Sequence, residues 1–364
     1  MATETIPATS NVKLNKDSMR STWRTWDKSQ HRFAHQALTR ADVFHNDPHR
    51  AIPVHAKTDP VPYLPQWAMQ RWIVTHAAGP LLLHQLFVSA TGANIGRLGA
   101  LAAYYVSSRW FMTRLLRNMR EMGHRYGHLD GDVHARDEVP DNGVGKTLLS
   151  VVLASVVRAV MFNVLTWDND VAPGDARWLW MPLIIGVYGI VLDFWFYWYH
   201  RLMHDSASLW QFHRTHHLTK HPVALLTLYA DGVQEVGDIV VIPLLTFLTL
   251  KATGVSLNFY EWYACNIYLN FAESLGHSGL RIMAYVPNPL TPVLKLFGAE
   301  LAIEDHDLHH RRGWKSSFNY GKQTRLWDRV FGTCTTRVEC LPDNIDYKNQ
   351  AKVDSKEILL ESFN

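Results

Sequence analysis

Three histidine clusters carry the clearest chemical signal in this chain. They read His200-Arg-Leu-Met-His204, His213-Arg-Thr-His216-His217 and His306-Asp-Leu-His309-His310, with His277 between the last two. On a helix, residues three and four apart share a face, so each cluster can aim two or three imidazoles at one point. Imidazole ligates iron, zinc, copper or nickel, whereas magnesium, calcium and manganese favour oxygen-rich sites. A single ion takes roughly six ligands at most, and zinc is normally satisfied by about four. The clusters and His277 exceed both limits, which predicts two metal ions sharing a site made of His200, His204, His213, His216, His217, His277, His306, His309 and His310.

Spacing alone is weak support in a chain with 20 histidines. His31/His35, His45/His49 and His124/His128 repeat the i,i+4 spacing, but each pair stands in a polar region with no HxxHH partner and is not read as a ligand pair. His221 follows the second cluster, but Pro222 disfavours continued helix there, and His221 is left out. Two HxxHH repeats, each beside an apolar stretch, are much harder to obtain by accident.

The elements that must position these residues are apolar. The chain has 364 residues, enough for one large domain or two small ones, and is 47% hydrophobic. Its mean hydropathy is nevertheless close to zero, so very apolar stretches alternate with very polar ones, as in a membrane protein with a sizeable extramembrane part. Apolar stretches run over 72–90, 98–112, 147–167, 178–199, 239–250 and 257–275. The first approaches the ~20 residues that a bilayer-spanning helix needs. The second is interrupted by Arg109, the third and fourth are separated by the acidic DNDVAPGD, and the last two flank a Lys-Ala-Thr-Gly break. These stretches predict three helical hairpins.

Charge predicts their orientation. Arg114, Arg117, Arg120 and Arg125 follow the second stretch, while Asp168, Asp170 and Asp175 lie between the third and fourth. Basic loops stay cytoplasmic, which places the acidic turn across the membrane and brings all histidine clusters to the cytosolic face. The expected fold class is all-α, a multi-pass transmembrane helical bundle of four to six spans or hairpin helices, with a cytosolic helical cap holding a His-ligated di-metal site. Arg109, Arg158 and Asp193 interrupt the apolar runs and keep open a soluble α-protein in which the weaker stretches are buried helices.

The chain divides into a polar N-terminal extension (1–66), N-terminal membrane helices with a cytosolic loop (67–180), a catalytic domain (181–335) and a C-terminal tail (336–364). The polar start, with Pro53, Pro60, Pro62 and Pro65 near its end, gives no expectation of a cleavable signal peptide. Cys265, Cys334 and Cys340 form neither a CxxC pair nor an even framework, which favours a reducing environment. A net charge of +3 with scattered Lys and Arg argues against a nucleic-acid surface.

With these residues in hand, the chain resembles the fatty acid hydroxylase and sterol desaturase superfamily of integral-membrane di-iron oxidases. The resemblance rests on Asp193-x-x-x-Tyr197-x-x-His200-Arg201-x-x-His204, the HxxHH at 213–217, Glu273-Ser-Leu-Gly-His277-Ser278-Gly279 and the HDxHH at 306–310. It continues through Asn319-Tyr320-Gly321 and Trp327-Asp328-Arg329-Val330-Phe331-Gly332-Thr333, and covers roughly 180–335. Some members carry a further histidine where this chain has Glu273, which shares a helical face with His277 and is expected to orient a ligand more than to ligate. Members hydroxylate fatty acyl chains, sphingoid bases or sterol methyl groups, and others desaturate sterols.

The resemblance implies two iron ions, O₂, and electrons from NAD(P)H through an external b-type cytochrome and its reductase. It also implies the endoplasmic reticulum membrane. An unactivated C–H bond needs an oxidant that acid–base side chains cannot generate and an open-site iron centre can. The expected function is therefore O₂-dependent hydroxylation of a fatty acyl, sterol, polyketide or terpenoid substrate. Asp193 and Tyr197, one helical turn apart, are the candidates to support the ligands, or else form an interfacial polar pair. The WDRVFGT segment is read as packing the cap through Trp327 and Phe331. Arg311, Arg312, Lys315, Lys322 and Arg325 are read as a basic surface for an acidic electron donor or for lipid headgroups. Desaturation is the alternative within the superfamily, and an aldehyde-cleaving oxidase a more distant one. A histidine-rich metal transporter or metal-binding protein is the alternative of another class; a metalloprotease lacks its HExxH.

Overall fold

The computed structural model describes residues 15–313 and 317–353. Of the residues singled out above, Lys315 lies outside them. A short helix α1 (Phe33–Ala41) precedes four long helices: α2 (Gln66–Thr91), α3 (Gly96–Tyr126), α4 (Val144–Thr166) and α5 (Met181–Asp205). Then come α6 (Ala207–His213), α7 (Gly232–Val236), a π-helical turn (Gly237–Val241) and α8 (Ile242–Ala252), the last three forming one rod. Helix α9 (Phe259–Gly276) is followed by α10 (Thr291–Leu296), α11 (Ile303–Arg312) and α12 (Leu326–Val330). All six apolar stretches are helical, but only the first two pack together as the expected hairpin; α4 packs chiefly on α3 and α5 chiefly on α8.

Local chemistry sets the ends. Pro65 leads into α2, and Gly92 stops it in the left-handed conformation (φ 69°), which costs little without a Cβ. At the start of α9, Asn258 and Glu261 form a reciprocal capping box. Hydrogen bonds then fix which ends lie together. Asn94 in the α2–α3 turn bonds the carbonyls of Asn169 and Val171, Tyr260 also reaches Val171, and Arg177 pairs with Glu261 at 2.6 Å. The acidic turn, the α2–α3 turn and the start of α9 therefore share one end of the bundle, and every histidine cluster lies at the other.

Four helices are long and apolar enough to cross a membrane, Gln66–Thr91, Val144–Thr166, Trp178–Asp205 and Gly232–Ala252, and the chain is an integral membrane protein. Helices α3 and α9 differ from these for separate reasons. At 31 residues α3 is about 46 Å long, well beyond the ~30 Å hydrocarbon core, so its arginine-bearing half projects into the cap. Helix α9 is buried at every position except the half-buried Asn270 and packs against α2, α3, α4 and α5. It is the post around which the lipid-facing helices stand. Their outward residues, among them Leu82, Leu83, Leu86, Val156 and Val164, are exposed, and Trp178 and Trp180 are exposed at the acidic end, where interfacial aromatics belong.

The cap is held by buried polar pairs. Arg281 meets Glu339 at 2.9 Å, with both side chains about 1% exposed, and its remaining donors bind the carbonyls of Ala56, Asp59 and Pro60. The Glu304 carboxylate accepts the backbone N–H groups of Val338, Glu339 and Cys340. Strands β1 (Val61–Pro62) and β2 (Ile345–Asp346) pair in parallel beside them. The N-terminal extension also packs onto the cap, with Trp23 fully buried and its indole N–H on the Val139 carbonyl. Removing one partner of a buried ion pair costs about 3–5 kcal/mol. Arg281→Met, which strands Glu339 and releases residues 56–60, is therefore expected to lower the thermal midpoint in detergent. A midpoint equal to wild type would show that this clamp does not hold the cap.

Candidate metal centre

Helix α5 runs out of the apolar bundle into the cap, and its last three turns place Asp193, Tyr197, His200 and His204 along one buried face. The second cluster departs from the expectation of a single helix. Helix α6 ends at His213, and His216 and His217 sit in a following 3₁₀ turn. The third cluster lies on α11, and His277 caps the C-terminus of α9.

The nine imidazoles converge as two groups. His200, His204, His213, His217 and His309 can each offer a nitrogen within 4.8 Å of the others, and so can His216, His277, His306 and His310. The clusters are divided between the groups. His216 and His217 are adjacent yet belong to different groups, as do His309 and His310, because neighbouring helical residues point about 100° apart. His306 and His310, one turn apart, stay together. All nine are buried, and none of the six histidines of the lone i,i+4 pairs enters either group. His31 and His35 stack on each other beside Trp23, and the His124 ring accepts from the Asp47 N–H.

Most rings are oriented through Nδ1. His200 donates to the Tyr320 carbonyl (2.8 Å), His309 to Phe318 (2.7 Å), His310 to Thr219 (2.8 Å), His277 to Glu273 (2.8 Å) and His213 to the Gln234 side chain (3.0 Å). A proton fixed at Nδ1 leaves a lone pair on Nε2, the form that ligates metals. Outside the spans, burial is the largest cause holding His213, His216, His217, His306 and His309 well below the usual histidine range, with neighbouring imidazoles adding to it. Burial brings His310 down to about 3. These rings are neutral at physiological pH.

The Nε2 atoms of neutral rings face one another: His217 and His213 at 3.0 Å, His309 and His217 at 3.1 Å, His306 and His277 at 2.9 Å, His277 and His216 at 3.4 Å. Those of His200 and His310 find no hydrogen-bond partner among the described residues. Nδ1 of His217 and of His306 has no partner among the described residues, so the proton of these rings is not held away from the groups. Nitrogens at right angles on bonds of about 2.1 Å stand about 3.0 Å apart, so the two groups fit metal ions.

The expected supporting residues act in ways that spacing did not reveal. The Asp193 carboxylate accepts the N–H groups of Lys322, Gln323 and Thr324 and the Thr324 hydroxyl, pinning the loop whose Tyr320 carbonyl orients His200. Tyr197 bonds Thr333 and Arg201 and makes no hydrogen bond to a histidine of either group. The Glu273 carboxylate lies 3.6 Å from Arg158, and its backbone carbonyl is what holds His277. In the WDRVFGT segment Trp327 and Phe331 pack on Phe194 and Tyr197, but Trp327 is half-buried and Phe331 is exposed. The buried residue there is Asp328, which receives the N–H groups of Tyr320 and Gly321 and was missed among its aromatic neighbours. Gln234 was also missed, since nothing local marks a glutamine 21 residues from the histidine it orients.

The basic surface does not form. Arg311 is turned inward onto Asp130 and Asp307, Lys322 is buried 3.7 Å from Asp238 with its ammonium over the Phe196 ring, and Arg325 faces Asp305. Carboxylates spaced along the cap draw these cations in, which a run of basic letters cannot show. Arg312 alone of the four described residues is exposed.

The family model for fatty acid hydroxylases matches residues 185–333, which contain both histidine groups. Fatty acid hydroxylase vlmA of Lecanicillium sp. is 40% identical over 308 residues, covering 81% of this chain and 84% of that one. Human alkylglycerol monooxygenase is 28% identical over 44% of this chain and 32% of its own length. Methylsterol monooxygenase 1-3 of Arabidopsis thaliana is 28% identical over 40% of this chain and 46% of its own. No solved structure matches the chain. These relatives are a hydroxylase and two monooxygenases, so desaturation is not favoured, and the chain is an oxidoreductase with a lipid-like substrate. By its match over most of both sequences to a hydroxylase, and by the family model across its histidine groups, this chain belongs to the fatty acid hydroxylase family.

Proposed function

We propose that the nine histidines hold two iron ions, one in each group, and that the protein uses O₂ to hydroxylate a fatty acyl, sterol, polyketide or terpenoid substrate. The facing Nε2 pairs at 2.9–3.1 Å carry this reading, because ligand nitrogens at right angles on one ion stand about 3.0 Å apart. Bound iron would supply the oxidant for an unactivated C–H bond. The chain's own residues do the rest. Backbone carbonyls lock the rings, Asp193 and Asp328 hold the 320–324 loop, and α9 with the surrounding helices keeps bulk water from the groups.

In this reading the catalytic unit is 181–335, flanked by 67–180, with 1–66 and 336–364 as extensions. The histidines face the cytosol from the endoplasmic reticulum membrane, where electrons arrive from NAD(P)H through a b-type cytochrome and its reductase. The arginines at the cap end of α3 support that orientation. A donor would have to dock elsewhere than on the inward-turned Arg311, Lys322 and Arg325.

Protein purified in detergent is expected to carry about two metal ions per chain, each lost with its own group. Elemental analysis of His217→Ala and of His306→Ala should each show one ion fewer, and Glu273→Gln should keep both, since its carboxylate faces Arg158. Metal content indifferent to both histidine changes would remove the two-metal reading. Asp193→Asn places an amide N–H against the N–H donors of the 322–324 loop. Competition with a chelator should then show metal affinity at the first group lowered by about 10–100-fold. Acid titration of the metal-free protein tests the buried imidazoles. Unfolded histidines take up protons below about 6.5, whereas folded His310 resists until about 3. Stability is therefore fully present above the first value and lost as pH falls toward the second, so a denaturant midpoint constant across that window would contradict the buried neutral cluster.

A further inference from the structure

A cavity of about 260 Å³ runs along the seam between α3 and α4, with α9 as its inner wall. Tyr104, Phe162 and Phe259 line its deep end, and Leu38 of α1 contributes to its lining from the cap side. On α9 the lining ends at Glu273 and Ser274, about one turn before His277. Val152 and Val156, on α4 beside the seam, are exposed on the lipid-facing side. Such a space suits a hydrocarbon chain entering from the bilayer.

Its middle is not apolar. Arg158 is only 6% exposed; it donates to Asn270 (2.9 Å) and to the Asp238 carbonyl (3.2 Å) and lies 3.6 Å from Glu273, but its Nε finds no acceptor. Asn266, 5% exposed on α9, makes no side-chain hydrogen bond among the described residues, so its NH2 has a donor to offer in the cavity lining. Arg109 of α3 reaches Ser155 at 3.2 Å and has no carboxylate partner among the described residues. Ser155 and Arg158 lie three apart on α4, so both guanidiniums meet the cavity from adjoining positions. Glu273 balances one of them, and the Asp238 carboxylate faces Lys322. One positive charge is left over inside the membrane, where unpaired charge is costly and polar side chains are normally satisfied.

We propose that this cavity seats the carboxylate of a long-chain fatty acid, held in the membrane interior by Arg109 and Arg158 and steadied by Asn266. The argument is one of charge and donor count. The surplus is a single positive charge, the orphaned Arg158 Nε–H needs an acceptor, and a planar two-oxygen anion is what guanidinium recognises best. The seat rests on the hydroxylase reading only in taking the ligand to be the substrate.

The test is equilibrium binding of palmitate against hexadecanol, of equal chain length, to the full-length protein in detergent. Palmitate is expected to bind wild type about tenfold or more tightly, the scale of a charge-assisted hydrogen bond. Arg109→Met should erase that preference and Arg109→Lys should keep part of it. Asn266→Leu, which removes an unpartnered buried amide without disturbing an ion pair, should weaken palmitate while the fold stays at least as stable. Equal binding of the two ligands to wild type, or a preference unchanged in both Arg109→Met and Asn266→Leu, overturns the proposal. His217→Ala should retain the preference, and its loss there would move the carboxylate to the histidines and equally overturn the seat. A preserved preference with no oxygenated product from the wild type would instead support the seat and refute the hydroxylase reading alone.

Discussion

The structure depends on one costly arrangement, nine imidazoles buried against each other with their ring nitrogens close together. No ordinary core tolerates it, since each Nε2 left without a donor or a cation loses the hydrogen bonds that water would give it. What maintains the arrangement is a ring of carbonyl acceptors on the Nδ1 side, at Tyr320, Phe318, Thr219 and Glu273. Those carbonyls come from loops, and the loops are in turn fixed by the carboxylates of Asp193 and Asp328. Rigidity thus passes inward from carboxylate to loop to imidazole. The outward-turned side of each ring decides what its inward side can hold.

Two backbone irregularities serve that end. The π-helical turn at Gly237–Val241 puts Gln234 on His213 and, one turn later, Asp238 toward Lys322. A Cβ at Gly237 would collide with the Tyr199 ring, so the turn needs a glycine at this close approach. Gly279, just past His277, has φ 59° and leaves room for the Arg136 guanidinium, which reaches Asp307 on α11. Both glycines trade side-chain packing for the approach of a polar group to the histidine-bearing elements.

Much of this was legible in the sequence where periodicity or composition speaks locally. The six apolar stretches and the common side of the histidine clusters follow from patterns of a few residues, whereas the packing of α4 on α3 and of α5 on α8 does not. Other features were not local. Which distant rings His216 and His217, or His309 and His310, each join needs the tertiary arrangement of α5, α6, α9 and α11. Glu273 shares a face with His277 as expected, but Arg158, more than a hundred residues away, claims its carboxylate and leaves only its carbonyl for the ring. The supposed basic surface failed for the same reason, since cations adjacent in sequence were each met by carboxylates distant in it.

The joining of the chain's early and late segments bears on how the protein is made. Residues 56–63 are held by Arg281, paired with β2 and bonded to Ala351, so the cap closes only when segments nearly three hundred residues apart meet. Helices α2, α3 and α4, each packed on its neighbour in sequence, can associate as the chain emerges, while contacts of such long separation form late and slowly. His306, His309 and His310 lie in that late segment. During synthesis both histidine groups stay incomplete until translation has passed α11, the first lacking His309 and the second His306 and His310.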